Sequence, residues 1–219
     1  MTGESTPKMS DDSTRALLHL SAAVAAGDRG RRLEAMRAAA ELAAPRSVEE
    51  VLLQSYLFLG FPAALTALAE WREVSGTRST PETDPADLAT WGRRGERVCR
   101  TVYGRAYEKL RGNVRRVHPA MDDWMIQEGY GKVLAREGLD LGTRELCIVA
   151  ILAATGWESQ LHSHLRGALH AGCAPASVEE ALEVGLKSTE DEDWRAGARS
   201  LWHRVRERKP ARSERGQEI

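Results

Sequence analysis

An all-α fold is predicted for this chain. Apolar residues recur at three- and four-residue spacing along nearly its whole length, two-residue alternation is almost absent, and Ala and Leu dominate the periodic segments. Helices are expected at 14–26, 32–43, 47–59, 62–74, 88–111, 119–136, 143–155, 158–171, 177–187 and 191–207. The first is closed by a glycine, Gly27. The third opens on Ser47 followed by Val48, Glu49 and Glu50, a capping serine with a glutamate at the third helical position. Gly60, Phe61 and Pro62 separate it from the fourth, with Pro62 suited to a first helical turn. The segment 75–87, rich in Ser, Thr, Pro and Asp, has no apolar periodicity and reads as a linker. Periodicity alone places the fifth and sixth helices. The seventh and eighth form an apolar hairpin around Gly156, and the ninth repeats the Ser-Val-Glu-Glu cap at Ser177.

The two halves resemble each other across the linker. TRALLHLSAAVAAGD from Thr14 aligns with TRELCIVAILAATGW from Thr143, and SVEEVL from Ser47 aligns with SVEEAL from Ser177. Two degenerate repeats of one helical unit account for this. The expected organisation is a disordered tail at 1–13, a degenerate N-terminal repeat at 14–74, the linker at 75–87, a second and larger domain at 88–208, and a basic tail at 209–219.

Composition narrows the function. With 31 basic and 32 acidic residues the formal net charge is −1, so no long-range field would gather nucleic acid or an anionic membrane. The longest apolar run, 147–154, is far short of the roughly 20 residues that span a bilayer. The polar start lacks an apolar signal segment, and a cytoplasmic location is expected. Three widely spaced cysteines, Cys99, Cys147 and Cys173, do not suggest a disulfide framework.

The chemistry concentrates in the hairpin TRELCIVAILAATGWESQLHSHLRGALHAG from Thr143. His164 falls on or beside the buried stripe of its helix, three residues after Leu161 and four before Ala168. Glu145 lies near the start of the preceding helix, where the helix dipole favours a carboxylate. The two are expected to meet between the helices, the carboxylate orienting an imidazole that moves a proton near neutral pH. Their counterparts in the first repeat are Ala16 and, within one residue, Met36, so only one half can do this chemistry. A metal site is not expected: residues two apart on a helix point about 200° apart, which separates His162 from His164, and Arg166 lies between His162 and His170.

Arg144, Glu145, Gly156, His164, Ala168 and Gly172 sit at the RE, G, H, A and G signature positions of the carboxymuconolactone decarboxylase and alkylhydroperoxidase superfamily. The chain resembles that superfamily over about 95–186, most specifically in GLDLGTREL from Gly138 and LHSHLRGALHAG from Leu161. The resemblance implies an alkylhydroperoxidase-like helical bundle. In the alkylhydroperoxidase branch a Cys-x-x-Cys-x-x-x-His pattern follows the first helix. Here Trp157 and Gln160 stand at the cysteine positions, which disfavours a peroxidase. The decarboxylase branch fits better, and GFPAAL from Gly60 resembles its GFPAA element, although here that element lies in the first repeat and precedes the histidine.

What the resemblance implies is a cofactor-free acid/base enzyme acting on a small carboxylated molecule. Glu145 and His164 would be catalytic, Arg144 would attract a substrate carboxylate, and Trp157, Gln160 and Phe61 would shape the pocket. Packing of the repeats about a pseudo-twofold would let the GFPAA helices wall the site, and self-association, as a trimer, is expected by analogy. A peroxidase, or a non-catalytic binding protein on the same fold, are the alternatives.

Overall fold

The computed structural model describes residues 10–76 and 87–207. Four helices open the chain: α1 (Asp12–Ala26), α2 (Arg29–Leu42), α3 (Pro45–Gln54) and α4 (Tyr56–Ser75). After the linker come α5 (Leu88–Tyr103), a 3-10 turn (Gly104–Ala106), α6 (Tyr107–Val117), α7 (Pro119–Trp124) and a π-helix (Met125–Leu134). The chain closes with α8 (Leu141–Thr155), α9 (Glu158–His170), α10 (Pro175–Leu186) and α11 (Glu192–Glu207). The described residues form no strand, and no single helix among them is long and apolar enough to cross a membrane. Most of the tail and linker expectations, at 1–9, 77–86 and 208–219, lie outside the described residues.

The repeats are visible in the caps. Asp11 and Asp140 cap α1 and α8, their side chains accepting from the Thr14 and Thr143 amides. Gly27 and Gly156 close the same helices in the left-handed region, at φ 77° and 81°, which glycine enters without a steric penalty. Both α3 and α10 begin on proline after an extended alanine, Ala44 and Ala174. Pro45 and Pro175, rather than Ser47 and Ser177, therefore start these helices. Proline at the first position has no amide to satisfy and a backbone preset for the helix, so the serines fall two residues inside.

Two other expected helices are redrawn by glycine. The helix expected at 88–111 breaks at Gly104, whose φ of 52° and ψ of −127° lie where only glycine is comfortable. The helix expected at 119–136 passes from α7 into ten residues of π-helix, packed against α5. There a Cβ on Gly95 would overlap the Ile126 carbonyl, and one on Gly131 would overlap the Trp91 carbonyl. The two helices touch backbone to backbone because neither residue has a side chain. In α4 the break at Gly60 is real, with φ 80° and ψ 167°, and another turn comes earlier, at Ser55, where α3 and α4 meet at 118°.

At the centre is α8, buried at every position from Arg144 to Ala153 and packed against α1, α9 and α10. Helix α1 is its counterpart in the first repeat, so the two halves meet through equivalent helices. They are also joined reciprocally. Arg144 pairs with Glu50 at 2.7 Å, and Arg15, in the place of Arg144, pairs with Glu180, in the place of Glu50, also at 2.7 Å. If one residue contacts a second across an axis and their equivalents do the same, the interface is isologous. The two halves thus share one equivalent ion pair in each direction, the arrangement that a pseudo-twofold would produce.

Candidate active site

A left-handed turn at Gly156 reverses the chain between α8 and α9, and this brings positions 19 apart in sequence face to face. His164 Nδ1 lies 2.8 Å from Glu145 Oε2. Glu145 is fully buried and His164 is 6% exposed. An ionised carboxylate can only accept, so this pairing puts the proton on Nδ1 and makes Nε2 the nitrogen that faces away from Glu145. Because α8 begins at Leu141, Glu145 lies in its second turn, where the helix dipole contributes less than the sequence suggests. The pairing with His164 is the stronger influence on its orientation.

The other carboxylate oxygen, Oε1, is buried without a hydrogen-bond partner. Around the pair stand Phe58, edge-on to the imidazole at 5.7 Å, and Tyr103 and Tyr130, edge-on to each other at 6.2 Å. Burial, reinforced by the negative charge of Glu145, pushes the Tyr103 phenol up to about 12 and that of Tyr130 well above its ordinary value. Both phenols are therefore neutral hydrogen-bonding groups at physiological pH, not bases.

Gly167, one turn after His164, is what admits the carboxylate. A Cβ there would lie 2.5 Å from Glu145 Oε2 and 2.6 Å from Val102 Cγ1. Gly167→Ala is expected to push Glu145 off His164 while adding a residue of better helix propensity. Any activity should then fall by at least about tenfold, in step with about 1–3 kcal/mol of overpacking cost. Equal activity and melting temperature in variant and wild type would show that the carboxylate has room to spare.

Not every expected site residue is near this pair. Arg144 points the other way. Its guanidinium is fully buried and donates to Glu50 Oε2, Gln54 Oε1 and the carbonyls of Arg136 and Leu139, which commits four of its five N–H donors inside the core, away from His164. Trp157 is 58% exposed and Gln160 is exposed, on the outer side of the hairpin turn. Trp157 therefore does not fill a pocket at His164. Phe61 stacks on Tyr56 at 4.9 Å and lines a separate cavity of about 230 Å³ with Val133 and Arg136. The first repeat does reach His164, but through Phe58, before the Gly60 break. Nothing in the uniformly apolar run around Phe58 distinguishes it, whereas Gly167, a glycine inside a helical pattern, is a signal of close packing that sequence reasoning could have used.

The thiols stand apart from this chemistry. Burial raises Cys99 and Cys147 to about 12 and Cys173 to about 11. Thiolate is the reactive form, so at pH 8 all three should alkylate with iodoacetamide at least about a hundredfold more slowly in the folded chain than in urea. Rapid modification of one cysteine in the native protein would mark a reactive thiol. Among the described residues no three His, Cys, Asp or Glu side chains gather as a metal site would require.

Residues 119–188 match the carboxymuconolactone decarboxylase family, a span that runs from α7 through α10 and includes both Glu145 and His164. A relative, Peroxisomal protein 2 of Schizosaccharomyces pombe, is 27% identical over 151 residues, covering 66% of this chain and 69% of that protein.

Proposed function

As a protein with a carboxymuconolactone decarboxylase family segment at 119–188, the chain is one that we propose to be a cofactor-free acid/base enzyme acting on a small carboxylated molecule. The observation that carries this reading is the buried 2.8 Å contact between Glu145 and His164 beside a carboxylate oxygen that no donor among the described residues satisfies. A structural glutamate would be expected to have both oxygens satisfied, because an unpaired buried acceptor is costly. In the proposed step the bond to the departing carboxylate breaks, CO₂ leaves, and its electron pair passes into an enolate. His164, entering the step as the imidazolium with a proton on each ring nitrogen, gives its Nε2 proton to the carbon and is left as the neutral Nδ1–H imidazole that Glu145 holds in place. For the reverse proton movement the same nitrogen acts as base.

The raised thiol pKa values favour this reading over a peroxidase, which needs a thiolate to attack the O–O bond. Phe61 and Leu65 are 62% and 61% exposed on one stretch of α4, and that apolar surface supports including self-association in the proposal, with a trimer as its form by family analogy alone. The test is turnover of a panel of lactone acids and keto acids by the wild type and by variants at His164 and Glu145. Retained turnover in those variants would favour a binding protein on the same fold.

A further inference from the structure

Helix α9 has a second chemically distinctive face. His162, Arg166 and His170 recur four residues apart and look into a cavity of about 310 Å³, bounded opposite by Tyr103 at the end of α5 and by Lys109 and Asn113 on α6. Two lysine or arginine cations and two imidazoles line this space, and no carboxylate does. Elsewhere the half-buried and buried arginines hold acids: Arg72 holds Glu49, Arg32 holds Glu70, Arg111 holds Asp122, and Arg136 and Arg144 share Glu50. Arg166 is half-buried, and among the described residues it has no carboxylate within ion-pair distance.

We infer that this cavity between α6 and α9 is a binding site for a small organic anion, a carboxylate or a phosphate, with Arg166 as its main ligand. A guanidinium presents a planar fork that matches either anion in bidentate fashion, and Lys109 adds a second positive charge across the cavity. His170 is held in place by its Nδ1–H, which donates to the Val102 carbonyl at 2.7 Å. The volume suits a ligand at the lower end of the small-molecule range. Since His162 and Arg166 lie on the face of α9 opposite His164, the cavity opens away from the acid/base pair, with Tyr103 between the two, and the inference does not rest on the proposed enzymatic activity.

The test is isothermal titration of the full chain with inorganic phosphate and, separately, with succinate at low ionic strength, against a sodium chloride control. One equivalent of either anion should bind, and Arg166→Gln should weaken that binding at least about tenfold, the fold-change of losing one charge-assisted hydrogen bond. Phosphate without succinate would assign a phosphate ligand, succinate without phosphate a carboxylate ligand, and both would support the site. Lys109→Gln, at an exposed position, gives an independent and smaller loss without risk to the fold. No binding of either anion, or equal binding by wild type and Arg166→Gln, would overturn the inference.

Discussion

Glu50→Ala should lower the unfolding free energy by about 3–5 kcal/mol, the usual cost of removing one partner from a buried ion pair. Glu50 is 2% exposed and is the only carboxylate that the described residues bring to both Arg144, at 2.7 Å, and Arg136, at 3.0 Å. Without it a fully buried guanidinium keeps its charge and loses its counterion. The pseudo-twofold supplies an internal control. Glu180 occupies the equivalent place in the second repeat, but its partner Arg15 retains 37% side-chain exposure, and water can solvate what the carboxylate leaves. Glu180→Ala should therefore cost much less. Urea denaturation followed by circular dichroism distinguishes the two. Equal, small losses would mean that burial, not pairing, holds the repeats together.

The second large effect is expected at His164. Removing a general acid or base commonly lowers turnover by about 10²–10⁴-fold. His164→Ala would also strand the fully buried Glu145, so a loss of activity could be confused with a loss of fold. His164→Gln is the better variant, since an amide can still donate to Glu145 Oε2 but cannot shuttle a proton. Its kcat/KM on any acid the wild type converts should fall at least about a hundredfold with little change in melting temperature. Glu145→Gln should give a milder loss, because it removes the group that selects the Nδ1–H tautomer and leaves the imidazole in place. A milder effect at His164 than at Glu145 would reverse the assigned roles.

How much of this was legible in the sequence depends on what each feature rests on. The repeat and the meeting of Glu145 with His164 follow from periodicity and from a glycine turn, both local properties, and the alignment of Thr14 with Thr143 survives as matching aspartate N-caps and left-handed glycine C-caps on α1 and α8. The starts of α3 and α10 went to proline because two favourable signals competed within three residues, and the one without an amide to satisfy prevailed. The π-helix and the break at Gly104 depend on contacts between α5 and segments far along the chain, which periodicity does not encode.

The site residues divide along the same line. Arg144 precedes Glu145 by only one position, yet side chains of adjacent helical residues point about 100° apart. One therefore faces α9, and the other faces Glu50 in the first repeat. Phe61 and Phe58 are three apart in sequence, but the Gly60 kink turns the chain between them, so the motif-based expectation selects the ring on the wrong side of the kink.

The most direct test of Glu145 and His164 as a proton-transfer pair is deuterium exchange in D₂O, followed by proton NMR, at the carbon next to the carboxylate or carbonyl in a panel of lactone and keto acids. It requires only that a compound bind and exchange, not that it be the natural substrate. The expected result is exchange by the wild-type chain well above the buffer rate for at least one compound, reduced to the buffer rate in His164→Gln. Identical rates for wild type and His164→Gln, whether both are fast or both match buffer, would contradict the assignment.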